Sequence, residues 1–170
     1  LAIPAFAQEE QKPVAKPEAP KAAKLGEVAP AFTLKNLDGK DLSLADYKGK
    51  IVVLEWFNPD CPVVVGHYEA GTMANTQAQF SGKDVVWLGI NSAAPGKQGH
   101  GVERNKKAKT DWKMANEILL DESGTVGRAY AAKTTPHCYV IDAKGTLVYA
   151  GGIDDGARGK ATVNYVEKAI

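Results

Sequence analysis

Apolar and polar positions along the chain fall into blocks with different periods. Phe32-Thr33-Leu34-Lys35-Asn36-Leu37 and Lys40-Asp41-Leu42-Ser43-Leu44 flank Asp38-Gly39. That pattern predicts two short strands joined by a tight turn. Asp46 to Lys50 reads as a further turn. Ile51-Val52-Val53-Leu54-Glu55-Trp56-Phe57 is an almost unbroken apolar run, and Val85 to Ile90 is another. Such runs predict central parallel strands buried on both faces. Pro62 to Phe80 lies between them and supplies the crossover helix of a βαβ unit. Val63-Val64-Val65 and Gly71 are poor helix formers, so packing must override propensity, and a bend or break is expected near Gly66 or Gly71.

The second half continues in short elements. Val102 to Lys113 predicts a polar helix, and Ile118-Leu119-Leu120 a short strand. Ser123 to Ala132 predicts a helix with Asp121 or Ser123 as its cap. Cys138 to Asp142 and Thr146 to Tyr149 form a hairpin around Ala143-Lys144-Gly145. Ala161 to Ile170 begins a last helix inside which the chain stops, so a further C-terminal piece is expected. The order hairpin, β-α-β, α-β-β-α specifies an α/β fold. Its mixed central sheet carries helices on both faces and an extra N-terminal β-hairpin.

Composition narrows the function classes. With 170 residues, 44% of them apolar, the chain suits one domain of ordinary size. Lys and Arg number 21 against 20 Asp and Glu, a net of +1, which gives no overall electrostatic reason to bind nucleic acid. No stretch approaches the ~18 uninterrupted apolar residues of a membrane span. Two cysteines are too few for a disulfide scaffold or a four-thiolate zinc site.

The first residues read as an address. Leu1 to Ala7 is a short apolar stretch closing on Ala5-Phe6-Ala7, the small-x-small pattern that signal peptidase cuts, which would leave Gln8 as the mature N-terminus. Residues 8–24 are rich in Lys, Glu, Ala and Pro, and four of the nine prolines lie in the first 24 positions. That segment reads as an extended linker, and residues 25–170 as the folded domain. The address implies a periplasmic or secreted protein in an oxidising compartment, where a thiol is either paired or kept reduced by a partner.

The chemistry centres on Cys61. It stands where a buried strand ends and a helix begins, and Pro62 suits the first helical position, where a missing N–H costs nothing. Cys61 is then the N-cap, its sulfur facing free amides and the positive end of the helix. This geometry favours thiolate, the form that attacks peroxides and disulfides. Asp60 opposes it, because an adjacent carboxylate disfavours a second negative charge. The alternative is a buried, inert cysteine.

Glu55 lies six residues earlier on the same strand face as Val53 and Phe57. It is either a desolvated acid with a raised pKa that manages a proton, or an acid paired with lysine or reaching water. Thr134-Thr135-Pro136 precedes the strand that carries Cys138, where a cis turn is one comfortable role for proline. Cys138 is either a small core residue or the partner that resolves oxidised Cys61, which needs Cα atoms within ~7 Å. Trp56 reads as a wall of the site and Phe57 as core.

These residues carry a resemblance. Phe32-x-Leu34, Asp38-Gly39-Lys40, Lys48-Gly49-Lys50, the apolar strand into Cys61-Pro62, Thr135-Pro136 and Asp142-x-x-Gly145 resemble the thioredoxin superfamily. Within it the chain is most similar to the redoxin branch of alkyl hydroperoxide reductase/thiol-specific antioxidant proteins, and to peroxiredoxin-like proteins. Asn91-Ser92, Leu147-Val148-Tyr149 and Gly152-Ile153-Asp154-Asp155 add to that match. The resemblance covers roughly residues 25–170. It implies a thioredoxin fold, a nucleophilic Cys61, a cis Pro136 beside it, and Glu55 as the buried acid that thioredoxins carry six residues before their first active cysteine. It also implies a peroxide or disulfide substrate and an external thiol reductant, with no bound cofactor. Trp56, Asn58, Pro62 and Thr135 would line the substrate site.

The chain departs from its relatives in places. Val64 replaces the second cysteine of a Cys-x-x-Cys motif. Asn58 stands where typical peroxiredoxins carry Thr or Ser, and Leu54 where they carry Pro. The arginine expected near the sulfur would have to be Arg128 or Arg158. Other candidates read as structural. His67 is about 600° of helical rotation beyond Cys61 and reads as a satisfied core histidine. Cys61, Cys138 and His137 are the alternative set for a copper carrier, and a thioredoxin-fold binding module with no catalysis is a further alternative. Ala94 to Gly101, followed by Arg104, Lys106, Lys107 and Lys109, lacks a phosphate-loop motif and reads as a solvated insertion or a docking lip. Asp154 and Asp155 read as turn or cap residues.

Overall fold

The computed structural model describes residues 22–156 and 161–170. The expected signal remnant at residues 1–7, the expected linker as far as residue 21, and Arg158 lie outside the described residues.

The apolar runs form the middle of a seven-stranded mixed sheet. The strands are β1 (Thr33–Asn36), β2 (Asp41–Ser43), β3 (Ile51–Trp56), β4 (Val85–Asn91), β5 (Glu117–Leu120), β6 (His137–Ile141) and β7 (Leu147–Gly151), and their order across the sheet is β2-β1-β5-β4-β3-β6-β7. β3 pairs parallel with β4 and antiparallel with β6, and β4 pairs parallel with β5. Val52, Val53, Leu54 and Ile90 are at most 2% exposed, as doubly covered strands require. The fold is the expected α/β thioredoxin fold with an added N-terminal hairpin.

Strand alternation divides the core in two. Val52, Leu54 and Trp56 face α4 (Thr125–Ala129) with Tyr130 and Tyr139. Val53 and Phe57 face α1 (Pro62–Glu69), α2 (Thr72–Gln79) and α5 (Tyr165–Ala169), together with Cys138 and Val140 of β6. α3 (Val102–Asp111) ends at Trp112, whose ring stacks on Tyr68 of α1, with centroids 4.4 Å apart and planes 9° from parallel.

The crossover helix breaks at Gly71, the second of the two positions expected, because Gly71 takes φ 77 as the cap of α2, a conformation an L side chain resists. Other boundaries differ from the sequence reading. α4 is shorter than Ser123–Ala132 and starts after Gly124 in the left-handed region. Asp121 still serves its first turn, since its carboxylate accepts from the Val126 and Gly127 amides. The last helix begins at Tyr165 rather than Ala161, capped by Asn164, whose side chain accepts from the Glu167 amide. A cap and the first intrahelical bonds set these ends, and apolar periodicity does not register either.

Replacing Gly71 by alanine should cost about 1–2 kcal/mol, read as a lower urea midpoint with an unchanged slope.

Candidate functional site

Strand β3 delivers the chain to a five-residue loop, Phe57-Asn58-Pro59-Asp60-Cys61, and α1 begins at Pro62. Cys61 is the N-cap of α1 in extended conformation, φ −75 and ψ 121, with Pro62 in the first turn. Cys61 is partly exposed. Burial alone would push its pKa up, but the Thr135 side chain and the backbone N–H groups of Val64 and Val63 outweigh burial and hold it below the usual thiol value. None of those amides makes a close capping hydrogen bond to the sulfur. When protonated, the thiol donates to the Thr135 carbonyl at 3.3 Å, a contact that favours the thiol. The depression is therefore a balance between opposing contacts. The Thr135–Pro136 peptide is cis, and Thr135 is the residue of that turn that meets the sulfur.

The other expected residues divide between this surface and the layer beneath it. Glu55 is completely buried on the α1 face of β3, and among the described residues no lysine forms a salt bridge with it. The Tyr68 hydroxyl donates to both its carboxylate oxygens, at 3.1 and 3.0 Å, and the Trp87 Nε1–H donates to one at 2.9 Å. Desolvation dominates these bonds and lifts its pKa to about 7. Cys138 lies opposite Glu55 in the ladder and is 0% exposed. Burial, then the Glu55 and Asp154 charges, pushes its thiol pKa well up. Both cysteines are free. Cys138 as arranged is a buried thiol whose surroundings hold it protonated.

Asn58 lines the cleft beside the site, and its amide also braces the loop: Oδ1 accepts from the Asp60 N–H at 2.8 Å and Nδ2 donates to the Gln98 carbonyl at 3.0 Å. The readings of His67 and of the copper set need correction. His67 is buried at 3% but is not fully satisfied. Its Nδ1 sits 3.7 Å from Asp154 Oδ2 and both atoms lack a hydrogen-bond partner. Asp154 is accordingly a buried partner of α1 rather than a simple turn residue. The copper set does not assemble: Cys138 faces Glu55, whereas the adjacent His137 stacks on Tyr139 with its Nδ1 3.0 Å from that hydroxyl. Successive strand residues point to opposite faces. Among the described residues no three His, Cys, Asp or Glu side chains could hold a metal ion.

The segment read as a solvated insertion is a buttress. Gln98 Nε2 donates to the Asp60 carbonyl at 2.9 Å. Gly99 is buried against Asn58, where a Cβ would collide with the Asn58 Oδ1. Asn91 and Asn105 are buried, and both donate to the Gly99 carbonyl, at 2.9 and 3.1 Å. Arg104 reaches the loop from α3, with Nε donating to Asp60 Oδ1 and Nη2 to the Pro59 carbonyl, each at 2.7 Å. Arg128 instead binds Ser123 and Thr125 on α4. Among the described residues, the arginine bonded to the Cys61 loop is thus Arg104, visible in the sequence only as part of a basic run because its partner lies 44 positions away. Trp56 forms the opposite wall. It is 3% exposed, packs on Tyr130 and Tyr139, and donates to Ser92 Oγ at 3.0 Å. Between these walls a cleft of about 580 Å³ runs past Trp56, Asn58, Ser92, Lys97, Lys133 and Thr135.

Comparison with known proteins agrees with this arrangement. The AhpC/TSA family model matches residues 25–150, and the chain belongs to that family, a peroxiredoxin-like branch of the thioredoxin superfamily. It is 30% identical over 123 residues to the thioredoxin-like protein YneN of Bacillus subtilis, covering 72% of this chain and 68% of that one. It is 26% identical over 157 residues to the chloroplastic peroxiredoxin Q of Gentiana triflora, covering 85% and 67%. The thioredoxin domain of a thiol-disulfide oxidoreductase from Bacteroides vulgatus superposes with a TM-score of 0.63 at 26% identity, covering 77% of this chain and 91% of that one. These relatives group the chain with thiol oxidoreductases.

The acid under α1 sets a pH dependence. Folded Glu55 keeps a proton up to about 7, against the usual 4.5, so the unfolded chain releases it first. Its contribution is full below about pH 4.5, falls as pH rises, and is lost above about 7. The swing is of order 3 kcal/mol. Glu55→Gln should flatten the fall in urea stability between pH 5 and 8.

Proposed function

We propose that this protein is a thiol oxidoreductase in which Cys61 is the single nucleophile toward a peroxide or a disulfide. The observation that carries the reading is the partly exposed Cys61 at the start of α1, its sulfur beside Thr135, with its pKa held below the ordinary thiol value. With a peroxide, the Cys61 thiolate attacks one oxygen, the O–O bond breaks and the alkoxide leaves, taking a proton to become an alcohol. Cys61 becomes a sulfenic acid. An external thiol then condenses with it, releasing water and forming a mixed disulfide, which a second thiol reduces. With a disulfide substrate the same thiolate forms the mixed disulfide directly.

Pro136 and Thr135 shape the surface that meets the substrate, while Trp56 and Pro62 bound it. Glu55 holds a proton under the helix, and Cys138 stays protonated. The reading places the protein in the periplasm or outside the cell, where an external thiol keeps Cys61 reduced, as the alanine-bounded N-terminus suggests.

Peroxide consumption with dithiothreitol should fall to the uncatalysed rate in Cys61→Ser and persist in Cys138→Ser. Alkylation of Cys61 should be half-maximal below the ~8.5 of a free thiol. An ordinary thiol pKa together with no turnover of either substrate class would leave a binding module.

A further inference from the structure

An aspartate one residue before a helix cap is a rival for that cap. Asp is among the side chains that best satisfy the first amides of a helix, and its charge suits the positive end. Yet the cap of α1 is Cys61. The Asp60 carboxylate is turned toward α3, where Oδ1 takes the Arg104 Nε–H at 2.7 Å and lies 2.7 Å from Nη2. The same Nη2 donates to the Pro59 carbonyl, so one planar guanidinium grips both the side chain and the backbone of the loop. The grip has a rigid base. Asn105, the next residue on α3, is 0% exposed and donates to the carbonyls of Gly99 and Gly101.

We propose that Arg104 is a positioning residue for Cys61: it holds the Asp60 carboxylate off the start of α1 and cancels its charge, reserving the positive end of the helix for the sulfur. The inference rests on Cys61 being the nucleophile proposed above. The neighbouring titratable groups are Asp60 on the same loop and Arg104 on α3. Lys97 lies on the loop before α3, and Lys133 and His137 lie on either side of the cis-proline. Glu55 and Cys138 lie beneath α1. Of these, only Arg104 bonds to Asp60. The Asp60 and Arg104 side chains are about one-third exposed, at 32% and 34%, so salt screens part of the effect.

The test is a double-mutant cycle on the rate of Cys61 alkylation against pH, at low salt, in a Cys138→Ser background that leaves one thiol to label. Arg104→Gln should lower the thiolate fraction near neutral pH by about three- to tenfold. Asp60→Asn alone should not lower it. Adding Asp60→Asn to Arg104→Gln should restore it, and Arg104→Lys should fall between. A purely structural role for Arg104 predicts a loss that Asp60→Asn does not rescue, which would overturn the proposal, as would no loss in Arg104→Gln. The cycle reads a difference. An ordinary Cys61 pKa in the parent with the coupling intact would therefore sink the catalytic reading and leave this inference standing.

Discussion

A strand buried on both faces must hand over to a helix within five residues, and the sulfur at that junction has to meet the helix amides. The site depends on this constraint. β3 cannot shift, because its side chains fill two separate cores. α1 cannot rotate freely, because Tyr68 is fixed by Glu55 on one side and by Trp112 on the other. Cys61 inherits its position from both.

The connecting loop has few apolar contacts of its own and is held by polar ones. Asn58 closes it internally, while Gln98 and Arg104 tie it to the segment before α3 and to α3 itself. Those ties end on the buried amides of Asn91 and Asn105. Buried amides are stable only when paired, so this network resists partial loosening. It also holds the Asp60 carboxylate against Arg104, beside a cysteine whose pKa lies below the ordinary thiol value.

Beneath the loop lies a polar layer of a different character. Glu55, Cys138, His67 and Asp154 are all buried. Their environment favours neutral carboxyl and thiol at Glu55 and Cys138, through desolvation first. The two cysteines therefore differ sharply. One sits at a helix start with donors around it, and the other sits in hydrocarbon beside acids. A Cys-x-x-Cys motif starting at Cys61 would put its second thiol on α1; Val64 occupies that position and is fully buried.

Chain order and apolar pattern were enough to specify the α/β class, the βαβ core, Cys61 as the cap of α1 and Glu55 on a covered face. All of these follow from local periodicity and the stereochemistry of a Pro-led helix, which act over a few residues. Helix ends such as Gly124 and Asn164 were poorly legible, since caps depend on single hydrogen bonds. Four facts needed folding: the bond from Arg104 to Asp60, the use of Asn58 inside its own loop, the docking of Gln98 and Gly99, and the separation of Cys138 from His137. Each depends on segments distant in the chain meeting at set distances, or on which face of a strand a neighbour covers, and no local pattern encodes such meetings.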